Sequence, residues 1–166
     1  MESDLSTGDF FEYAPTGQVD AVIGNPPYVR YQDFSGSSRN RAIEAALASG
    51  VRLSSLASSW AAFTVHATSF LREGGRMGLV LPAELMSANY AGPVRQFLLD
   101  HFGEVTLVLF TERVFPGVQE EVVLLLASEF TSEVAGTNHF TLRQLANAND
   151  LANRRLRHIH ALEQNI

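Results

Sequence analysis

The residues best suited to chemistry are Asn25-Pro26-Pro27-Tyr28. They stop a run, Val19 to Ile23, that reads as a buried strand. Two consecutive prolines fix φ near about −65° and remove two N–H donors. The loop is therefore stiff, and its carbonyls lack local partners. An amide on one side and an aromatic ring on the other complete a set suited to hydrogen-bond acceptance from something outside the loop. The plainer reading is a stiff turn whose Tyr28 packs on the sheet edge.

Composition narrows what that chemistry is. The 166 residues include no cysteine, so disulfides and thiolate metal sites are excluded. Five histidines (66, 101, 139, 158 and 160) show no metal-ligand spacing, and no metal site is expected. The longest uninterrupted apolar run, Val122 to Ala127, is far too short to span a bilayer. The N-terminal stretch carries acids where a signal peptide needs basic and apolar residues, so a soluble cytoplasmic protein is expected. Net charge is −6 and every Lys-or-Arg position is arginine. Such a chain grips a phosphate backbone poorly by itself, because non-specific affinity comes from cationic side chains.

The positioning elements follow from periodicity. A strand over 18–23 enters the proline turn. A polar loop runs into a short helix, RAIEAALAS, closed by Gly50. The longest helix is expected from a cap at Ser54 or Ser55, with Leu56, Trp60, Phe63, Ala67, Phe70 and Leu71 on one face and Gly74-Gly75 as its stop. RMGLVLP is the next strand, and Gly92-Pro93 opens a helix that ends at Phe102. Residues 104–110 form a strand, 111–120 a long loop and 121–128 a last strand. The expected fold is α/β, a partial Rossmann-like doubly wound sheet. Its first three strands run parallel, and the C-terminal one is antiparallel. Residues 1–130 belong to this domain. The polar stretch 131–166 is expected to be a helical extension or linker, with one helix from about Leu142 onward.

With these residues in view, the chain resembles S-adenosylmethionine-dependent amino-group methyltransferases, specifically adenine DNA methyltransferases of restriction–modification type. The resemblance covers residues 7 to about 128. Beyond Asn25 to Tyr28 it rests on Val29-Arg30, on Gly8-Asp9-Phe10-Phe11, on LREGGRMGLVLP and on VFPGVQEEVVLLLA. It implies the class I methyltransferase fold, with S-adenosylmethionine as cofactor and DNA as partner. Adenine's exocyclic nitrogen is a poor nucleophile, because its lone pair is delocalised into the ring. The Asn25 side-chain oxygen and the Pro26 carbonyl would take both amino hydrogens, draw the nitrogen towards tetrahedral geometry and free that lone pair. Pro27 holds the pair rigid. The target base must leave the duplex, and Tyr28 would stack on it. Phe115, in RVFPG, matches the aromatic that supports the base's other side; packing under its own loop is the equal alternative. Asp9 would accept from the cofactor's adenine amino group, and Phe10 would stack on its ring. His66, between Phe63 and Phe70, reads as an ordinary helix histidine.

Two departures from that family are apparent. No glycine-rich βα turn precedes the proline motif, so the main cofactor loop is missing. A target-recognition domain is missing too. The competing readings are methylation of a glutamine side-chain amide or of guanine in RNA, or a non-catalytic fragment. A split-enzyme subunit completed by a complementary chain is a further one. No membrane partner is expected.

Overall fold

The computed structural model describes residues 7–15, 18–112, 121–147, 149 and 150. Five strands form one sheet: β1 (Val19–Gly24), β2 (Leu71–Pro82), β3 (Phe102–Phe110), β4 (Val122–Phe130) and β5 (Thr141–Leu145), in the order β1-β2-β4-β3-β5. β1 and β2 pair in parallel. β4 inserts between β2 and β3 and is antiparallel to both, so β1, β2 and β3 share one direction, as the pattern implies. The architecture is mixed α/β, mostly parallel in direction with an antiparallel member.

Among the described residues four α-helices connect these strands: α1 (Gly36–Ala48), α2 (Ser59–Thr68), α3 (Glu84–Ser87) and α4 (Gly92–His101). Alternation along the strands puts Met77, Leu79, Leu81, Leu107, Val123 and Leu125 into the core. There they meet Trp60, Val65, Val94 and Leu98 from α2 and α4. α2 is buried at nine of its ten positions, all but Phe63. It is not the one-faced helix that its aromatic spacing suggests. α1 packs on its outer side, and the sheet covers the inner one. A helix enclosed in this way has no solvent face to keep polar.

Several boundaries differ from expectation, each for a physical reason. α1 begins at Gly36, inside the stretch expected to be loop. α2 begins three to four residues later than expected, with Ser58 at its N-cap, and Leu56 lies outside it, exposed. Gly74-Gly75 does not end a helix. Leu71 already pairs with Val19, and the register shifts before Ala21 meets Arg76, so the glycines form an irregular bulge inside β2. Gly74 adopts φ +73°, a conformation glycine takes at little cost. The largest correction is at the C-terminal side. Residues 141–145, expected in a helix, form β5 and pair in parallel with β3. The segment TLRQL is short enough that the open edge of β3, with its row of unpaired groups, outweighs local helix propensity. Ala146 and Asn147, also expected in that helix, form a bend, and residues 151–166, including Arg154 and Arg155, lie outside the described residues.

Candidate active site

β1 ends at Gly24 opposite Leu79, and parallel β2 runs on to Pro82, so both strands send their following loops out from the carboxyl end of the sheet. In an open α/β sheet the carboxyl ends of the strands are where ligands bind. Asn25 and Pro27 are exposed there, Pro26 is buried and Tyr28 is half-buried. The motif is thus anchored by one proline and displays its amide.

Tyr28 packs against the core and directs its hydroxyl across to β2. Its Oη lies 2.8 Å from the Val80 carbonyl and 2.8 Å from Asn25 Oδ1. One phenolic proton serves only one of these acceptors fully at a time. Asn25 Oδ1 therefore keeps acceptor capacity while staying tethered. The arrangement ties the amide to the neighbouring strand through a rigid aromatic spacer.

The first turn of α2 holds the same loop from the other side. Ser59 Oγ donates to the Pro27 carbonyl and accepts from Val29 N–H at 2.9 Å, while Ser59 N–H donates to the Val29 carbonyl at 3.0 Å. Next to it, Trp60 Nε1 donates to Tyr90 Oη at 3.2 Å, and Tyr90 donates to Glu84. Burial, reinforced by that Glu84 hydrogen bond, raises the Tyr90 phenol above its ordinary range. Tyr90 and Glu84 lie on the segment that follows β2, so α2 fastens the loops of both strands. Arg95 Nη1 completes this by donating to the Leu85 and Ala88 carbonyls, each at 3.0 Å. Ser59, Tyr90 and Arg95 are the residues that sequence reasoning missed. Their roles depend on partners 6 to 32 positions away, and no local spacing signals them.

Asp9 and Phe10 lie at a 3-10 turn, Phe10–Glu12, capped by Asp9 itself. Asp9 Oδ1 accepts from Phe11 N–H at 3.1 Å. Its Oδ2 accepts from Ser38 at 2.9 Å and from Arg41 Nη2 at 2.7 Å. The Arg41 hydrogen bond, aided by Phe11 N–H and Ser38, outweighs desolvation and holds the Asp9 carboxyl below its ordinary range. Phe10 stacks on Phe63, with centroids 4.3 Å apart, and meets His66 edge-on at 4.9 Å. Both residues thus have protein partners, although Oδ1 retains a lone pair beyond its one N–H. His66 is buried, with Nε2 3.1 Å from the Tyr13 carbonyl, as an ordinary packed histidine. Phe115 lies outside the described residues. Among the described residues no cluster of His, Asp and Glu could hold a metal ion, and no described helix is long and apolar enough to cross a membrane.

The Asp9 contact gives a pH expectation with a definite sign. A carboxyl with a depressed folded value adds stability above its unfolded value, about 3.9, and loses it as pH falls through the lower folded value. An NMR titration should place the Asp9 midpoint below the ordinary aspartate range, and Arg41→Ala should return it upward. An unshifted midpoint in the parent chain would remove the Arg41 contact from solution.

Several known proteins share sequence or fold with this chain. The chain is 33% identical over 106 residues to the Type II methyltransferase M.XamI of Xanthomonas campestris pv. amaranthicola, covering 62% of this chain and 20% of that protein. It is 30% identical over 108 residues to M.HincII of Haemophilus influenzae, covering 64% and 21%. The chain thus spans about a fifth of the length of these curated relatives. Among solved structures, a Listeria monocytogenes protein described as a class I S-adenosylmethionine-dependent methyltransferase superposes with a TM-score of 0.60 at 17% identity, covering 82% of this chain and 39% of that one. The DrdV–DNA complex gives 0.61 at 13% identity, over 89% and 18%. At such identities the superpositions establish the fold. The family description "Eco57I restriction-modification methylase" matches residues 2–115, most of the chain, including the proline motif and the loops of β1 and β2. The chain belongs to the Eco57I restriction-modification methylase family.

Proposed function

We propose that this segment forms the amino-group-binding half of an S-adenosylmethionine-dependent DNA methyltransferase, acting on the exocyclic amino group of an adenine turned out of the duplex. The observation that carries the reading is the tethered Asn25 amide, displayed at the carboxyl end of β1 by a double proline and a Tyr28 anchored on Val80. Asn25 Oδ1 and the Pro26 carbonyl take the two amino hydrogens. Held in this way, the nitrogen lone pair would face the methyl group that S-adenosylmethionine would supply, and the surplus proton would leave the nitrogen for solvent. The cofactor supplies an electrophilic methyl group, and the protein's contribution is alignment and hydrogen bonding. Tyr28 stacks on the base, with Phe115 as the candidate for its opposite face.

In the same reading Asp9 and Phe10 meet the adenine end of the cofactor. Arg41 keeps Asp9 ionised, and therefore an acceptor, while Oδ1 has a lone pair to offer. Phe10 stacks on both Phe63 and Phe70 and meets His66 edge-on, so a cofactor ring would meet only the part of Phe10 that these three leave uncovered.

A complementary cofactor-loop segment, on the same or another chain, would pair with the outer edge of β1. Among the described residues that edge strand is paired on one side only, and Ile23, on the row of Gly78 and Leu126, is 87% exposed. Adding a segment with a glycine-rich βα turn to residues 1–166 should tighten S-adenosylmethionine binding more than tenfold, since several hydrogen bonds of roughly 1–3 kcal/mol each are restored. Calorimetry with and without the added segment measures it, and equal affinities would remove the proposed docking.

The experiment for the function itself is transfer of a labelled methyl group by the full-length protein to DNA, RNA and a protein bearing a glutamine acceptor. N6-methyladenine in digested DNA is the expected product. Label in RNA or protein with none in DNA would overturn the reading.

A further inference from the structure

We infer that Ser59 is a positioning residue for methyl transfer, acting through the backbone on either side of Tyr28; this rests on the function proposed above. Ser59 is only 3% exposed and touches no surface where a substrate would lie. Yet its hydroxyl uses both its donor and an acceptor position on the proline motif. It donates to the Pro27 carbonyl and accepts from Val29 N–H at 2.9 Å. Its own N–H donates to the Val29 carbonyl at 3.0 Å. Three hydrogen bonds from one residue therefore bracket Tyr28, fixing the peptide groups immediately before and after it.

That bracket bears on reactivity because Tyr28 in turn carries the Asn25 tether. Its hydroxyl sits 2.8 Å from Asn25 Oδ1 and 2.8 Å from the Val80 carbonyl. A shift of the Tyr28 backbone moves the ring and, with it, the amide that must meet the amino group. The prolines stiffen residues 26 and 27 by themselves, but nothing covalent restrains Tyr28 or Val29. The clamp comes from α2, which is buried against β2 and so serves as a rigid base. Ser58 at the helix cap has no side-chain capping bond, and Ser59 spends its hydroxyl on the motif loop instead of on the helix end.

The test uses four variants of the full-length methylating protein: Ser59→Ala, Ser59→Thr, Thr64→Val and Asn25→Ala. Thr64 is buried five residues further along α2, and among the described residues its hydroxyl bonds to the Trp60 carbonyl and not to the motif loop. Thr64→Val thus reports what loss of a helix hydroxyl does without touching the motif. Ser59→Ala should lower kcat roughly tenfold or more through misalignment, with KM for S-adenosylmethionine within about twofold. Ser59→Thr keeps a hydroxyl at the same carbon and should recover most of that loss. Thr64→Val should leave kcat near the parent value. The inference is overturned if Asn25→Ala is inactive while Ser59→Ala keeps its kcat. It is equally overturned if Thr64→Val loses as much as Ser59→Ala, since the effect would then be general destabilisation. Retained activity in Asn25→Ala would instead bring down the reading of the site on which the inference stands.

Discussion

Asn25→Ala in the full-length protein should reduce kcat for methyl transfer by at least roughly a hundredfold, the usual loss on removing one preorganised polar contact to a transition state. The geometry gives reasons for so large an effect from one amide. Asn25 is exposed, so its removal leaves no buried hole, and the fold should survive. Its oxygen is held by Tyr28, itself within reach of β2, and therefore needs little reorganisation as charge develops on the amino nitrogen. Cofactor binding should change little, because Asp9 and Phe10 lie on a separate turn that packs on α1 and α2. A single-turnover assay, with cofactor affinity measured alongside, separates the two. Near-normal turnover in Asn25→Ala would end the proposed mechanism.

The clarity of this site in the sequence follows from how local its determinants are. Among the described residues β1 lies at the end of the strand order, so none of its six residues is buried and it is not the buried strand expected. Even so, two prolines, an amide and an aromatic define a stiff strand-end loop within ten residues, and β1 ends at Gly24 as that pattern requires. The strands over 104–110 and 121–128 appear within a residue or two of expectation for the same reason, since alternation and apolar runs are read directly. What was not legible depends on contacts far along the chain. TLRQL becomes a strand because β3 offers an open edge, not because of anything in its own residues. Gly74-Gly75 reads as a helix stop but bulges within β2, since Leu71 is drawn into pairing with Val19. Ser59 looks like any of several serines in LSSLASSW, and only its contact with Pro27 and Val29 sets it apart. The partners of Asp9 are illegible for the same reason: Arg41 stands 32 positions away, on a helix whose start was read as loop.

Tyr28 is where the structure sharpens an expectation most, and its substitutions should rank in a definite order. From sequence alone Tyr28 is a stacking platform, so Tyr28→Trp keeps substantial activity and Tyr28→Ala does not. The structure adds a second task, because the hydroxyl reaches Val80 and tethers Asn25. Tyr28→Phe keeps the ring and loses only the tether, a change worth on the order of 1 kcal/mol, or several-fold in kcat/KM. Tyr28→Trp keeps a π-face, but its larger ring has no hydroxyl and must fit a half-buried position beside the core, so it should fall below Phe. Tyr28→Ala loses both functions. Stacking is worth about 1–3 kcal/mol per base, and with the tether the sum corresponds to a loss of at least roughly thirtyfold in kcat/KM. The variants also separate the two tasks. Loss of stacking weakens binding of the extruded base, seen as reduced affinity for DNA carrying a mismatch at the target, whereas loss of the tether lowers the chemical step with that affinity unchanged. Phe and Ala variants of equal activity would show that the ring face contributes nothing, and a Phe variant equal to the parent would show that the tether does not matter to the chemistry.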